Sequence, residues 1–120
     1  MTWDVLAAPE FQSWLASLSL ESRKAVAVDL EVLRMAGPQL GRPLVDHIKG
    51  SKHANMKELR TTTGNSVYRT FFAFDPVRRA VLLIGGDKGG QDQYRFYKTM
   101  IKQADAIFDR HLERMKKAKP

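Results

Sequence analysis

The hydrophobic pattern of the chain changes its period near Met56, and this change constrains the fold more than any other feature. Before it, apolar residues recur at helical spacing: Phe11, Trp14, Leu15 and Leu18 fall at i, i+3, i+4 and i+7. After it, short runs of β-branched, aromatic and aliphatic residues are separated by turn residues, which is typical of strands. Helices and strands that are segregated along a chain in this way predict an α+β domain.

Two consecutive helices are predicted in the first part of the chain. Pro9 suits the first position of a helix, because its missing N–H would have no helical partner there. Ser19 can cap a second helix, which Gly37-Pro38 ends, and the short link makes an αα-hairpin. The apolar segment Trp3–Leu6 is predicted as a first strand, and Gln39–Asn55, which has no periodicity, as a loop.

Three strands and a long helix are predicted in the second part. The strands, Met56–Thr61, Val67–Phe74 and Ala80–Ile84, have short connections and therefore form an antiparallel meander. A glycine-rich loop leads from them into a final helix, whose basic end, residues 113–120, is expected to fray. The element order is β-α-α-β-β-β-α, in a single domain over residues 1–120.

Composition excludes several classes of protein. The chain has no cysteine, which excludes disulfide scaffolds, thiolate nucleophiles and iron–sulfur sites. Its longest apolar run, Ala80–Ile84, has five residues, against the roughly 20 that span a bilayer. The N-terminus has no basic region followed by a long apolar stretch, so no signal peptide is predicted. The expected compartment is the cytoplasm.

The charge is unevenly distributed along the chain. Residues 1–46 carry four basic and six acidic residues, whereas residues 47–120 carry sixteen basic and seven acidic residues. This asymmetry predicts a polyanionic partner, with nucleic acid ahead of an anionic membrane. A basic surface that serves solubility alone is the simpler alternative.

Short motifs do not identify a metal or nucleotide site. The loop Gly85–Gly90 lacks the spacing of a phosphate-binding loop, and no Ser or Thr follows Lys88. His47, His53 and His111 are not spaced as metal ligands on one element. No cofactor and no metal are therefore predicted.

A set of basic, acidic and aromatic residues is spread over the meander and its flanks. Glu58 and Arg60 are two positions apart, so both project from the same face of their strand. Arg69 lies in an otherwise apolar strand and needs a partner, either Glu58 across the hairpin or a phosphate. An ion pair that only fixes strand register is the structural alternative. The full set is Lys52, His53, Lys57, Glu58, Arg60, Arg69, Lys88, Tyr94 and Tyr97.

Three runs stand out by their order and spacing: Met56–Arg60, Val67–Phe72 and Val81–Lys88. In these runs the chain resembles the RelE/HigB-type toxins of bacterial toxin–antitoxin pairs, and the HigB-like branch in particular. The resemblance implies a compact RelE-like domain that acts as a ribosome-dependent endoribonuclease. In that family a 2′-hydroxyl attacks the adjacent mRNA phosphate without a metal. It also implies a cognate, DNA-binding antitoxin and a toxin–antitoxin hetero-oligomer, with ribosome and mRNA as the other partners and no membrane.

The resemblance also implies roles for individual residues. Arg69 matches the strand arginine that grips the scissile phosphate, and Lys88 the basic residue after the apolar strand. Tyr97 matches the aromatic residue that orients or stacks on the nucleotide. Lys57 and His53 stand where basic or imidazole groups occur in these toxins. RelE itself has lysine at the position of Glu58, which leaves the general base open.

Elementary chemistry makes the same demands on an RNA-cleaving site. It needs a base near the 2′-hydroxyl, a cationic clamp on the phosphate and a proton donor for the leaving oxygen. Glu58 or His53 can serve as the base, although a carboxylate beside arginines is a weak one. Arg60 and Lys52 are expected to bind phosphate, and Tyr94 is an alternative to Tyr97 for stacking a base.

Two other functions are compatible with these observations. One is a ParE-like, non-catalytic inhibitor of DNA gyrase, although such a protein has no evident need for the cluster of basic and aromatic residues. The other is an inactive module that binds RNA through its basic region.

Overall fold

The computed structural model describes residues 2–118. Five strands form one sheet in the order β1-β5-β4-β3-β2, in which β1 is parallel to β5 and the other neighbours are antiparallel. The elements are β1 (Val5–Ala7), α1 (Pro9–Ser17), α2 (Leu20–Ala36), β2 (Val45–His47), β3 (Lys57–Thr63), β4 (Ser66–Phe74), β5 (Ala80–Asp87) and α3 (Gln93–Ala118). The predicted α+β architecture, with a helical hairpin, a meander and a long last helix, is confirmed.

The helical hairpin forms where its end signals predict. Pro9 is the first residue of α1. The backbone N–H of Ser22 donates to the hydroxyl of Ser19 over 3.1 Å, so this serine caps α2. Gly37, which follows the helix, has a φ of 72°, and its N–H donates to the carbonyl of Leu33. The ends of both helices of the hairpin can therefore be predicted from the residues at those positions.

The segment between α2 and β3 differs from its prediction. Gln39–Asn55, predicted as a loop, contains β2, which pairs with β3 at the edge of the sheet. Val45 opposite Leu59 is buried and attaches this strand to the core. A strand of three residues is too short to display a period of two, which is why the sequence pattern misses it.

The two faces of the sheet have separate hydrophobic cores. On one face, Phe11, Val26 and Leu33 of the hairpin join Leu59 and Phe72 of the strands. On the other face, the apolar row of α3 packs on the sheet; the buried members of this core include Phe71, Leu83, Phe96, Met100 and Phe108. Side chains of adjacent strand residues consequently enter different cores.

The end of α3 differs from the predicted frayed tail in residues 113–118, which are helical. The last two residues of that tail, Lys119 and Pro120, lie outside the described residues. Within the described part of the chain, no helix combines the length and the apolar character that crossing a membrane requires.

We expect Gly85→Ala to destabilise the protein by about 1–3 kcal/mol, because a Cβ at Gly85 would overlap the ring of Trp14. Urea unfolding followed by circular dichroism measures this loss. Gly41→Ala is the matched control, since a Cβ at Gly41 meets no atom within 4 Å. If the two variants had equal stability, the packing of α1 on β5 through Trp14 would be refuted.

Candidate functional site

Strand register brings three charged residues to the face of the sheet that α3 covers. Arg60 of β3 lies opposite Arg69 of β4, which in turn lies opposite Gly86 of β5. Glu58 is two residues before Arg60 and therefore faces the same side. Gly86 lets α3 pack closely on the strand, because a Cβ there would be only 3.0 Å from the ring of Phe96.

Two carboxylates, Asp87 at the end of β5 and Asp92 just before α3, hold the elements that complete the site. Asp87 accepts hydrogen bonds from the N–H groups of Val67 and Gly89, at 3.0 and 2.9 Å, and so shapes the turn that carries Lys88. Asp92 accepts from the N–H of Arg95 over 3.1 Å and caps the start of α3. These local bonds fix the positions from which Lys88 and the first turns of α3 approach the sheet.

Glu58 is the centre of the site and is only 3% exposed. Its Oε1 accepts a hydrogen bond from the hydroxyl of Tyr97 over 2.7 Å. Its Oε2 accepts from Nε and Nη2 of Arg60, at 3.2 and 3.1 Å. Arg69 Nε lies 3.4 Å from Oε1. The carboxylate is thus surrounded by two guanidinium groups and a phenol.

Arg69 forms the ion pair with Glu58 that its position on the strand allows. The residue is 7% exposed, and its Nη1 donates to the carbonyl of Tyr68 over 3.0 Å. Its buried Nε has no hydrogen-bond partner, because the contact with Glu58 is electrostatic without hydrogen-bond geometry. Arg69 lies under the site surface, so the cations nearer the solvent are Arg60 and Lys88.

Lys88 and Tyr97 lie next to each other at the rim of the site. The Nζ atom of Lys88 is 5.9 Å from the centroid of the Tyr97 ring. Burial lowers the pKa of Lys88, and the charge of Arg69 lowers it further, while Glu58 opposes the shift. Burial and the hydrogen bond to Glu58 raise the pKa of Tyr97. Lys88 therefore gives up its proton more readily than an ordinary lysine.

Lys57 does not belong to this cluster, which corrects its grouping with Glu58. Its Nζ donates to the carbonyl of Pro38 over 3.1 Å, behind the sheet, and burial lowers its pKa. The reason is the alternation of a strand: adjacent residues such as Lys57 and Glu58 point to opposite faces.

His53 and Lys52 are also placed elsewhere, against the middle of α3. Nε2 of His53 lies 2.8 Å from Oδ1 of Asp109, and the ammonium of Lys52 pairs with the other oxygen of that carboxylate. Asp109 is twelve residues beyond Tyr97, which is about 18 Å along a helix axis. The predicted roles of His53 as a base and of Lys52 as a phosphate ligand at this site therefore lack the necessary proximity.

Tyr94 lies near the cluster but makes no contact with Glu58 of the kind that Tyr97 makes. Its side chain is 74% exposed, and Lys98 Nζ is 5.8 Å from its ring centroid. Both tyrosines line a groove that continues from the site along α3 and also includes Lys49 and Lys98. Sequence reasoning missed these two lysines, although the spacing of Tyr94 and Lys98, one helical turn apart, was a usable signal.

The geometry suits recognition of an anion beside a planar group. Three cations, Arg60, Arg69 and Lys88, surround one buried carboxylate, and Asp46 accepts from Arg60 Nη2 over 3.3 Å at the edge. The positive charge that remains can bind a phosphate, and the tyrosine ring offers a stacking surface.

Comparison with known proteins agrees with this architecture. The family model described as phage derived protein Gp49-like (DUF891) matches residues 13–109. One Mycobacterium tuberculosis relative, named as the candidate toxin HigB2, is 45% identical over 109 residues, which cover 90% of this chain and 54% of the relative. The chain thus spans about half the length of that relative. The candidate toxin HigB3 of the same organism is 44% identical over 101 residues, covering 84% of this chain and 86% of the relative.

A solved structure shares the fold. A chain of the RelB–RelE antitoxin–toxin complex from Methanococcus jannaschii superposes with a TM-score of 0.52 at 20% sequence identity, covering 70% of this chain and 91% of that chain. The family model and HigB3 each cover most of the sequence. The chain therefore belongs to the Gp49-like family of HigB-type proteins.

Proposed function

We propose that the protein is the toxin of a toxin–antitoxin pair and acts as a ribosome-dependent endoribonuclease on mRNA. The observation that carries the proposal is that five of the predicted residues meet at one place, although they come from two strands, a turn and a helix. They are Glu58, Arg60, Arg69, Lys88 and Tyr97. The names of the two mycobacterial relatives support the toxin class.

The proposed reaction is a transesterification carried out by side chains alone. The 2′-oxygen forms a bond with the adjacent phosphorus while the bond from phosphorus to the 5′-oxygen breaks. The products are a 2′,3′-cyclic phosphate and a 5′-hydroxyl. One proton must leave the 2′-hydroxyl, and one must reach the departing 5′-oxygen.

Glu58 is the group best placed to accept the first proton, since His53 lies too far away. Its Oε1 is occupied by the hydroxyl of Tyr97 in the free protein. The substrate must displace this hydroxyl, which leaves the Tyr97 ring available to stack on a nucleotide. Arg69, beneath the carboxylate, orients it through the 3.4 Å ion pair.

Lys88 is the proposed donor of the second proton. Its lowered pKa makes the ammonium a better acid than an ordinary lysine. Arg60 remains charged throughout and, with Lys88, holds the phosphate oxygens. Lys57, Lys52 and His53 have no part in this reaction.

A cognate antitoxin and a cytoplasmic location complete the proposal. The related fold comes from a complex described as antitoxin with toxin, which supports a protein partner for this chain and a hetero-oligomer. Ribosomes and mRNA, the proposed substrate complex, are cytoplasmic. A DNA-binding antitoxin agrees with the family resemblance.

Controlled expression in a bacterium tests this function. We expect growth arrest together with mRNA fragments that end in 2′,3′-cyclic phosphate and begin with 5′-hydroxyl inside coding regions. The matched control is a reporter transcript without its start codon, which should remain intact because no ribosome translates it.

Two other outcomes of this experiment would contradict the endoribonuclease. Arrest with DNA damage and intact mRNA would favour the ParE-like inhibitor of gyrase. Normal growth with RNA bound to the purified protein, and no cleavage, would favour the inactive RNA-binding module.

A further inference from the structure

A groove of about 680 Å³ runs beside the first turns of α3 and begins at Tyr97. One wall is the face of the helix that carries Tyr94, Lys98 and Lys102, and the other includes Lys49 in the segment after β2. Its volume lies in the range of pockets that hold small organic ligands of nucleotide size. The groove adjoins the polar cluster at Tyr97, but its lining includes neither Glu58 nor the two arginines of the cluster.

The groove has an excess of positive charge. Lys49, Lys98 and Lys102 are exposed, and among residues 2–118 none of the three forms a salt bridge. The acid in the groove, Asp105, has both oxygens engaged, by the hydroxyl of Ser51 at 2.5 Å and the N–H of Lys52 at 3.1 Å. A polyanion therefore meets three available ammonium groups there.

Aromatic rings connect the groove to the polar cluster. Tyr97 contributes its ring to the groove wall while its hydroxyl donates to Glu58. Tyr94, one turn earlier and with 74% of its side chain exposed, presents a second ring to the same space. Flat exposed rings interleaved with lysines are the usual way in which proteins hold single-stranded nucleic acid.

We propose that this groove binds the single-stranded RNA that flanks the cleaved phosphate. A base stacks on Tyr94, and successive phosphates lie against Lys98 and Lys102, which are about 6 Å apart along the helix axis. The proposal rests on the proposed function, since it extends the same substrate from the cluster into the groove. Exposed rings favour RNA over an acidic peptide, because every base offers a face for stacking.

Binding of a 2′-O-methylated RNA hexanucleotide, which cannot be cleaved, tests the groove separately from catalysis. Titrations followed by NMR at several salt concentrations give both the affinity and its salt dependence. We expect Lys98→Ala/Lys102→Ala to weaken binding and to reduce the slope of log K against log salt by about 1.4. Tyr94→Ala is expected to weaken binding about tenfold without changing that slope.

The matched control is Lys116→Ala/Lys117→Ala, which removes the same charge from the distant end of α3 and should leave affinity and slope unchanged. If the groove variants bind like the wild type, or the wild-type protein does not bind the hexanucleotide, the groove proposal is overturned. Neither result would contradict the endoribonuclease function, because that function is tested separately by cleavage of mRNA on ribosomes. Weakened binding of an acidic antitoxin segment, with RNA binding unchanged, would assign the groove to a protein partner instead and also overturn the proposal.

Discussion

Glu58→Ala is expected to lower the free energy of unfolding by about 3–5 kcal/mol, although the carboxylate lies in the proposed catalytic site. The substitution leaves the guanidinium of Arg69, which is 7% exposed, without its anion, and it removes the acceptor of the Tyr97 hydroxyl. A buried cation without a partner costs far more than the net contribution of an intact ion pair. Urea unfolding measures the loss.

The exposed ion pair between Glu31 and Arg34 provides the matched control. Its oxygen and nitrogen are 2.6 Å apart, but the Glu31 side chain is 52% exposed. Glu31→Ala should therefore leave the free energy of unfolding almost unchanged, since solvent screens such a pair. Equal effects of the two substitutions would mean that Glu58 is not a buried structural anion.

A double-mutant cycle separates the ion pair from the other contacts of Glu58. Arg69→Ala alone is also expected to destabilise, because Glu58 then keeps only Arg60 and Tyr97 as partners. The double variant should cost less than the sum of the single variants, with a coupling energy between about 0.5 and 3 kcal/mol. A coupling near zero would contradict the ion pair.

This coupling changes how a loss of toxicity is interpreted. The family resemblance assigns Arg69 to the grip on the scissile phosphate, so lost toxicity in Arg69→Ala would be attributed to the loss of that contact alone. In the structure Arg69 is also the charge partner of a buried carboxylate, so its removal lowers stability and activity together. A variant that separates the two effects must lie at the rim of the site.

The parts of the site that were predictable depend on regular geometry. Glu58 and Arg60 share a face because a strand alternates, and Arg69 joins them because a short turn sets the register of β3 and β4. The same rule places Lys57 on the opposite face. The inclusion of Lys57 in the same set as Glu58 ignored this alternation, which was legible in the sequence.

The parts that were not predictable depend on where irregular segments pack. His53 lies in a segment without periodicity, so nothing in the sequence indicated that it would meet Asp109 on α3. The groove has the same origin, because Lys49 approaches α3 only through the course of the chain after β2. Local patterns describe helix and strand faces but do not determine such long-range contacts.

Lys88→Met is expected to abolish growth arrest and to slow mRNA cleavage on ribosomes by about 10²–10³-fold, while the protein stays folded. Lys88 lies at the rim, and within residues 2–118 it forms no salt bridge. Its removal should therefore change the free energy of unfolding by no more than about 0.5 kcal/mol. Single-turnover cleavage and urea unfolding of the same preparations measure both quantities.

The exposed Lys24 on α2 provides the matched control, since Lys24→Met removes the same charge from the opposite side of the sheet. This variant should arrest growth like the wild type. Arrest by Lys88→Met at wild-type strength would exclude Lys88 from the reaction and would leave Arg60 as the cation nearest the solvent.

Lys88→Arg distinguishes a proton donor from a point charge. Arginine keeps the positive charge but does not release its proton, so a donor role predicts that phosphate binding survives while the cleavage rate still falls.

The pH dependence of the cleavage rate gives a second test of the donor role. Burial lowers the pKa of Lys88, so the wild-type rate should fall as the pH rises through a value below the 10.5 of an ordinary lysine. In Lys88→Arg this alkaline decrease should disappear, because the guanidinium stays charged, and a decrease that persisted would have to arise from another group.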